Sequence, residues 1–193
     1  MAGSMAPLTD EELIGMLAEG DENALRILVE RYSASIYRFS VRYTGDESLA
    51  EDVAQEVFFR LFLHAKKFTS GRSFRTWLFT IVRNVGIDLA RPYSHRKSFS
   101  VRLGKDSVGE DFAPESIANG SPTQEERMTA QERQRMVIEM LQDLPEKQRA
   151  AIVLKYYEDM STKEIAEVLG KSVSSVEALL ARGKRNLAKS LKL

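Results

Sequence analysis

The chain has no cysteine, only two histidines and no long apolar run. Without cysteine it has no disulfide, no thiolate nucleophile and no Cys-ligated zinc, a composition that suits a reducing cytoplasm. His64 and His95 lie far apart in sequence and form no metal-binding pair. No apolar run approaches the ~20 residues of a membrane-spanning helix, and no signal peptide is recognisable at the N-terminus. We therefore expect a cytoplasmic protein with no metal, no cofactor and no insertion into the membrane.

Charge is distributed unevenly, although the formal net charge is zero. Residues 10–59 carry twelve Asp or Glu against four Arg, whereas residues 60–105 carry eleven Lys or Arg and a single acid. Residues 106–126 hold six acids and no base, and the last sixteen residues hold five bases and no acid. Two basic patches divided by an acidic stretch suggest two contacts with a polyanion, with solvated helix faces as the alternative.

Apolar residues recur every three or four positions over most of residues 8–91 and again from Met128 onward. This spacing predicts amphipathic helices, and no stretch shows the alternation of a β-strand. Between these regions Gly, Pro, Ser and acidic residues replace the periodic pattern, which predicts a flexible linker. The expected fold class is all-α, with two small helical domains joined by that linker. We predict four divisions: an N-terminal tail with the start of the first helix at 1–19, a first domain at 20–92, the linker at 93–127 and a second domain at 128–193. Residues 1–4 resemble a cloning remnant.

The stretch STKEIAEVLGKSVSSVEALLARGKRNL, residues 161–187, has the spacing of a helix-turn-helix. Ser161 or Thr162 is suited to cap a short helix. The small Ala166 allows two helices to cross closely, and Gly170 permits the turn between them. Val176 then begins the inward face of the second helix. An ordinary helical hairpin with a basic tail is the alternative.

In a helix-turn-helix the second helix lies in the major groove of duplex DNA. Arg182 can donate two hydrogen bonds to guanine, and Glu177 can accept one from the amino group of cytosine. Lys171, Lys184 and Arg185 are better placed for phosphates. The outward and flanking residues that we expect at the DNA are Lys171, Ser174, Ser175, Glu177, Ala178, Ala181, Arg182 and Arg185.

Two further strings complete a resemblance to a known family. ESLAEDVAQEVFFRLF, a short polar loop and FRTWLFTIVRNVGIDLAR resemble the polymerase-binding and promoter-melting domain of bacterial sigma factors. YEDMSTKEIAEVLGKSVSSVEALLARGKRNL resembles their second DNA-binding domain. In this order, with a short linker between them, the blocks resemble an extracytoplasmic-function (ECF, group 4) sigma factor of the sigma-70 family. The resemblance covers about residues 20–92 and 128–190.

The resemblance implies residues for two further contacts. A surface that docks on core RNA polymerase would include Asp52, Gln55, Glu56 and Phe59, for which a solvated acidic face is the alternative. The loop after it and the helix ending at Asn84 would read the promoter's minus-ten element, where a base is turned out of the stack. Residues of the right chemical type for that single strand are Lys66, Lys67, Phe68, Arg72, Arg75, Trp77, Arg83 and Asn84. Trp77 also lies in the row of apolar residues that recurs along this helix, which favours core packing for Trp77 taken alone. For Asn84, a solvent-facing position is the alternative.

The implied function is transcription initiation: the protein would bind core RNA polymerase, recognise and melt promoters, and perform no catalysis of its own. An anti-sigma factor is the further partner that the resemblance implies. Glu177, Ala178 and Gly183 depart from the residues usual at these positions, so we assign no minus-thirty-five sequence. A conventional helix-turn-helix regulator is the alternative. A metal-dependent nuclease is disfavoured, because the clustered acids around Asp46 and Glu51 have no His or Cys nearby in sequence.

Overall fold

The structure is a computed structural model that describes residues 8–69, 71–90 and 124–191, with side chains from residue 131 in the last range. All regular structure in these residues is helical, which confirms the all-α prediction. A single 3₁₀ turn, Ala65–Lys67, follows the third helix. The helices are α1 Asp10–Glu19, α2 Glu22–Thr44, α3 Glu47–His64, α4 Phe74–Ala90, α5 Gln124–Gln142, α6 Glu146–Tyr156, α7 Thr162–Leu169 and α8 Val173–Ser190.

Local capping explains where the first helices begin and end. The Thr9 hydroxyl accepts from the Glu12 backbone N–H while the Glu12 carboxylate accepts from the Thr9 N–H, which forms a capping box at α1. The Asp46 carboxylate caps α3 by accepting from the Leu49 N–H at 3.0 Å. The preceding helix ends at Gly45, whose φ of 79° is readily available only to glycine. The chain therefore turns sharply between α2 and α3.

Helices α1 to α4 share one core. Leu13 and Ile14 of α1 are fully buried with residues of the next three helices. At the centre, the Phe39 ring of α2 stacks on Tyr43 and meets the edge of Phe79 from α4, with ring centroids 5.5 and 5.4 Å apart. These four helices are called the N-terminal group below. Because α1 packs in this core, it belongs structurally with α2–α4, although the predicted first domain starts only at residue 20.

Helices α5 to α8 form the C-terminal group. Helix α5 begins at Gln124, four residues before the predicted return of helical periodicity at Met128. Its first residues, Gln-Glu-Glu-Arg, are good helix formers but polar, so they leave no apolar pattern in the sequence. The rest of the predicted linker, residues 93–123, lies outside the described residues. Leu154, Ile165 and Val176 are buried between α6, α7 and α8.

The buried apolar residues of the two groups form one continuous cluster, and polar contacts also join the groups. Arg149 of α6 donates to the backbone carbonyl of Tyr43 in α2 at 2.7 Å, and also to the carbonyls of Gln142 and Leu144. Gln142 donates to the carbonyl of Arg42 at 3.1 Å. The Arg42 guanidinium in turn lies 4.2 Å from the ring centroid of Tyr157. Side chains of the C-terminal group thus hold the end of α2, and they bring α7 close to α4.

Candidate nucleic-acid and protein interfaces

The helix-turn-helix adopts the geometry that its spacing predicts. Ser161 rather than Thr162 caps α7, in a capping box with Glu164. Hydrogen bonds from Ser161 lower the pKa of the Glu164 carboxyl below its usual range. Gly170 makes the turn with φ 60°, and Ser172 then caps α8 through the Ser175 N–H at 3.2 Å. The second helix therefore starts at the end of the turn, with three serines around its exposed N-terminus.

Helix α8 presents one exposed face and buries the other. Val176 is fully buried, and Gly183 lies against α6 so closely that an added Cβ would meet Ile152 Cγ1 at 2.8 Å. This close approach gives a structural reason for glycine at position 183. Lys184, expected at phosphates, lies 5.2 Å from the Tyr156 ring. All the residues predicted to contact the duplex are exposed except half-buried Lys171: Ser174, Ser175, Glu177, Ala178, Ala181, Arg182 and Arg185.

A shallow cavity of about 260 Å³ lies beside this face. Lys171 and Arg182 line it from the turn and α8, and Lys147 lines it from the start of α6. Sequence reasoning missed Lys147, because it lies outside the helix-turn-helix motif and nothing in its local pattern indicates that α6 reaches this surface. Three cations around one concavity produce a positive potential that favours a phosphate.

The loop before α4 is held by aromatic contacts. The Phe68 ring meets the edge of Trp77 with centroids 5.4 Å apart, and both pack near Phe74, whose ring meets Tyr32 at 5.6 Å. The N–H of Phe74 donates to the Glu11 carboxylate at 2.9 Å. Trp77 and Phe68 are half-buried in this cluster, while the predicted DNA residues around them remain exposed: Lys66, Lys67, Arg72 and Asn84.

Arg75 and Arg83 lie on the face of α4 that meets the C-terminal group. Arg83 donates from two nitrogens to one carboxylate oxygen of Glu146, at 3.1 and 3.3 Å, and its side chain is 15% exposed. Arg75 lies 3.6 Å from the Glu158 carboxylate and also donates to the Glu158 backbone carbonyl. The structure thus divides the predicted minus-ten cations into an exposed set and a pair that contacts glutamates.

Both glutamates are held by further contacts. Glu146 accepts from the Tyr43 hydroxyl at 2.6 Å. Glu158 is only 5% exposed and accepts from the Ser35 hydroxyl at 2.7 Å. Burial raises the pKa of the Glu158 carboxyl, and the Ser35 hydrogen bond and nearby Arg75 oppose that rise. No local sequence pattern indicates that Glu158 is buried in the contact between the two groups.

The predicted protein-docking residues follow one face of α3. Asp52 and Gln55 are exposed, and Phe59 is half-buried. Glu56 pairs with Arg60 at 2.7 Å, and Arg60 also reaches Asp88 of α4 at 3.3 Å. The acidic character of this face is therefore partly neutralised from within the N-terminal group.

Two exposed apolar residues extend the α3 face. Phe62 and Leu63 are 46% and 45% exposed, and they lie three and four positions after Phe59. That spacing continues the row formed by Asp52, Gln55 and Phe59 along the helix. Sequence reasoning missed the two residues, although the same periodicity would have found them. Exposed large apolar side chains beside a polar row are typical of a protein-docking surface.

In the part of the chain that the structure describes, no three His, Asp or Glu side chains are grouped so as to hold a metal ion. Among the acids near the start of α3, Asp46 is the helix cap. Within the same residues, no helix combines the length and apolar character needed to cross a bilayer.

Comparison with known proteins accounts for both groups of helices. The model of sigma-70 region 2 matches residues 28–96, and that of sigma-70 region 4 matches residues 134–187. The ECF RNA polymerase sigma factor SigW of Bacillus subtilis is 31% identical over 182 residues, which cover 93% of this chain and 95% of SigW. The ECF RNA polymerase sigma-E factor of Haemophilus influenzae is 28% identical over 185 residues, 92% of each chain.

Solved structures show the same fold. CnrH, solved in complex with the cytosolic domain of CnrY, matches with a TM-score of 0.70 at 27% identity, over 95% of this chain and 97% of CnrH. RpoE from Bartonella quintana, solved with the anti-sigma factor NepR, matches with a TM-score of 0.61 at 20% identity, over 87% of this chain and 96% of RpoE. The likeness to CnrH extends over both helical groups.

The fold and the matched regions define a sigma-70-type transcription initiation factor. Within that class, the chain belongs to the extracytoplasmic-function (ECF) RNA polymerase sigma factors. It is an alternative sigma factor, and this assignment is favoured over a conventional helix-turn-helix regulator because both sigma regions match in one chain.

Proposed function

We propose that this sigma factor uses three separate surfaces. The exposed face of α3 docks on core RNA polymerase, the loop and α4 read and melt the minus-ten element, and α8 reads the minus-thirty-five element as duplex. All three functions are placed in the bacterial cytoplasm. The observation that carries the proposal is the exposed face of α8, where seven of the eight predicted DNA residues are accessible on a complete helix-turn-helix.

For the minus-thirty-five element, Arg182 reads a base edge. The cations around it contact phosphates: Lys171, Lys184 and Arg185. Lys147 is added to this set, because it lines the same concavity as Lys171 and Arg182. Phosphate contacts fix the position of the protein on the duplex, whereas base contacts carry the sequence preference. We therefore assign sequence preference to Arg182 and positioning to Lys147.

For the minus-ten element, exposed Asn84 reads the edge of an unstacked base, and Lys66, Lys67 and Arg72 follow the strand's phosphates. The aromatic cluster of Phe68, Phe74 and Trp77 holds the loop that carries these cations. A half-buried ring in such a cluster also leaves part of its surface accessible for a flipped base to stack on.

For core polymerase, the docking surface combines the polar row from Asp52 to Phe59 with the apolar pair Phe62 and Leu63. Replacing both apolar residues with glutamine is expected to weaken binding to core polymerase by about 30-fold or more, since two buried interface anchors that each contribute more than about 1 kcal/mol are lost. Leu191→Gln, which changes an exposed apolar residue elsewhere, is the matched control. Equal core affinity in the two variants would remove Phe62 and Leu63 from the docking surface.

An anti-sigma factor is the remaining partner that we propose. CnrH and RpoE were each solved in complex with a partner, the cytosolic domain of CnrY and the anti-sigma factor NepR respectively. A protein of that kind would hold this chain inactive by covering the polymerase- and DNA-binding faces.

The proposed function is tested by run-off transcription with purified core polymerase, with and without this protein, over a library of random promoter sequences. Selective initiation is expected, and the selected sequences define both promoter elements. Asn84→Ala is expected to change the minus-ten preference alone, and Arg182→Ala the minus-thirty-five preference alone. Arg133→Ala, an exposed charge change on α5, is the control for both.

Failure to initiate together with failure to bind core polymerase would contradict the proposed function. A conventional regulator instead predicts sequence-specific duplex binding without polymerase, usually at a two-fold symmetric site.

A further inference from the structure

We propose that Glu11 of α1 is a positioning residue for reading the minus-ten element, because its carboxylate holds the first residue of α4 and, with it, the loop that precedes this helix. That loop lies between α3 and α4, carries Lys66, Lys67 and Arg72, and is called the minus-ten loop. The inference rests on the proposed role of this loop at the promoter strand. In this role Glu11 does not contact DNA; it keeps the loop in the arrangement that the strand binds.

The contact supplies a hydrogen-bond acceptor that α4 lacks locally. The N–H groups in the first turn of a helix have no partner within that helix. Phe74 begins α4 and is fully buried, so its N–H is shielded from bulk water, and it donates to the Glu11 carboxylate at 2.9 Å. The first turn of α4 contains no acid, and the Ser73 hydroxyl accepts from the Thr76 N–H at 3.4 Å, a long hydrogen bond. A residue 63 positions earlier in the sequence therefore caps this helix.

The residues on both sides of Glu11 fix it in place. Asp10 accepts from Arg31 at 2.8 Å and from the Tyr32 hydroxyl, both on α2. On the other side, Glu12 closes the capping box that begins α1. The first turn of α1 is therefore attached to α2 through one acid and to α4 through the next.

Phe74 passes this constraint on to the minus-ten loop. Its ring lies 6.1 Å from that of Phe68, and the Trp77 ring contacts both. The 3₁₀ turn with Lys66 and Lys67 immediately precedes Phe68, and α1 also packs against that turn. The other end of the loop is the backbone that enters α4. A shift at the start of α4 therefore displaces the loop from both ends.

The charge of Glu11 also suits this position. Arg72 and Arg75 lie just before and within the first turn of α4. The helix dipole places partial positive charge at this end, where cations are unfavourable and a carboxylate is favourable. The minus-ten loop needs its cations for the phosphates of the strand, and Glu11 offsets part of the resulting repulsion.

The inference is tested with Glu11→Ala in the complete chain bound to core polymerase. Glu11→Gln removes the charge but keeps an oxygen that can accept from the Phe74 N–H, so it separates the hydrogen bond from the charge. Glu19→Ala is the matched control, because it removes one exposed carboxylate at the other end of α1. All three variants raise the net charge by one, so general attraction to DNA increases equally.

Two single strands are compared by fluorescence anisotropy. One carries the minus-ten element selected in the transcription experiment, and the other has the same composition in shuffled order. The sequence preference requires a correctly placed loop, whereas exposed cations attract both strands through their phosphates. The ratio of the two affinities therefore reports the arrangement of the loop. Affinities for core polymerase and for the minus-thirty-five duplex are measured for the same variants.

Glu11→Ala is expected to bind the selected strand about fivefold more weakly than Glu19→Ala does, if about one fifth of its molecules keep the loop in the binding arrangement. Its affinities for the shuffled strand, for core polymerase and for the duplex should match those of the control. Glu11→Gln should lie between Glu11→Ala and the control, because a neutral acceptor makes a weaker hydrogen bond than a carboxylate does.

An unchanged affinity ratio in Glu11→Ala would overturn the inference. Equal losses for both strands, or a parallel loss of core affinity, would also overturn it, because they indicate a general loss of stability. Glu11→Gln behaving like Glu11→Ala would contradict the role of the hydrogen bond.

The wild-type chain separates these outcomes from failure of the proposed function. If it initiates transcription with core polymerase while Glu11→Ala keeps the preference of the control, only the role of Glu11 is rejected. If the wild-type chain neither binds core polymerase nor initiates, the proposed function fails, and the inference fails with it.

Discussion

The two proposed DNA-binding surfaces differ in how far they are accessible in the folded chain. On α8 the polar residues face solvent, because the inward face is packed against α6 and α7 of the same group. On α4 two of the cations are engaged by glutamates of the other group. The duplex-reading surface is therefore complete within one group of helices. The strand-reading surface depends on how the two groups are arranged.

Among the variants that test this comparison, Phe74→Ala is expected to have the largest effect on stability. Phe74 is fully buried and contacts Tyr32, Phe68 and Trp77. Its loss should lower the free energy of unfolding by about 3–5 kcal/mol and release the loop that carries the minus-ten cations. Denaturant unfolding and single-strand affinity are the measurements.

The counterpart in the C-terminal group is Ile165→Ala, with an expected loss of about 2–5 kcal/mol. It should weaken duplex binding more than single-strand binding, and Phe74→Ala should do the opposite. If both variants affected both kinds of DNA equally, the two surfaces would not be independent.

Arg182→Ala and Arg83→Ala compare an exposed arginine with one that is paired with a glutamate. Arg182→Ala is expected to weaken binding to minus-thirty-five duplex by about 5- to 150-fold, with an unchanged melting temperature, since a base contact is worth about 1–3 kcal/mol. Arg83→Ala should lower the melting temperature slightly, because a partly exposed pair with Glu146 contributes at most about 1 kcal/mol. A reversed pattern of melting temperatures would contradict the comparison.

Two glycines within helices give the next contrast. Gly15→Ala in α1 has no atom within 4 Å of the added Cβ and should stabilise the chain by about 0.5–1 kcal/mol. Gly183→Ala introduces a contact with Ile152 that offsets this gain, since overpacking costs about 1–3 kcal/mol. Adding Ile152→Ala, which removes both Cγ1 and Cδ1, should cost less stability in the Gly183→Ala variant than in the wild-type chain. Thermal unfolding measures all three changes.

The smallest effect concerns the helix cap at Ser161. Ser161→Ala should destabilise α7 by about 1 kcal/mol. Since the pKa of Glu164 is lowered in the folded chain, its ionised form contributes stability above pH 4.5, and this contribution is lost as the pH falls through the lowered pKa. The stability difference between wild type and Glu164→Gln should therefore be smaller in acid, as measured by unfolding at pH 7 and pH 3. An equal difference at both pH values would contradict the assigned cap.

Local signals account for the elements that could be predicted from sequence. The cap at Ser161, the turn at Gly170 and the inward Val176 are each determined by neighbours within a few residues, and all three are present in the structure. The assignments of individual residues to DNA and polymerase remain predictions.

Contacts between residues distant in sequence could not be predicted in this way. Glu146 lies 63 positions from Arg83, and Glu158 lies 83 positions from Arg75, so helical periodicity carries no information about either pair. In the sequence both glutamates resemble ordinary solvated acids. Their position depends on how two separately patterned groups of helices pack, which is a property of whole surfaces.

The chain's only tryptophan provides a direct optical view of the minus-ten loop. Trp77 is half-buried, and its indole lies against Phe68. Phe68 directly follows the 3₁₀ turn that carries Lys66 and Lys67. Indole emission shifts to longer wavelength when water gains access to the ring. Displacement of the loop by a DNA strand, by polymerase or by an inhibitory partner should thus change the intrinsic fluorescence of the unlabelled protein.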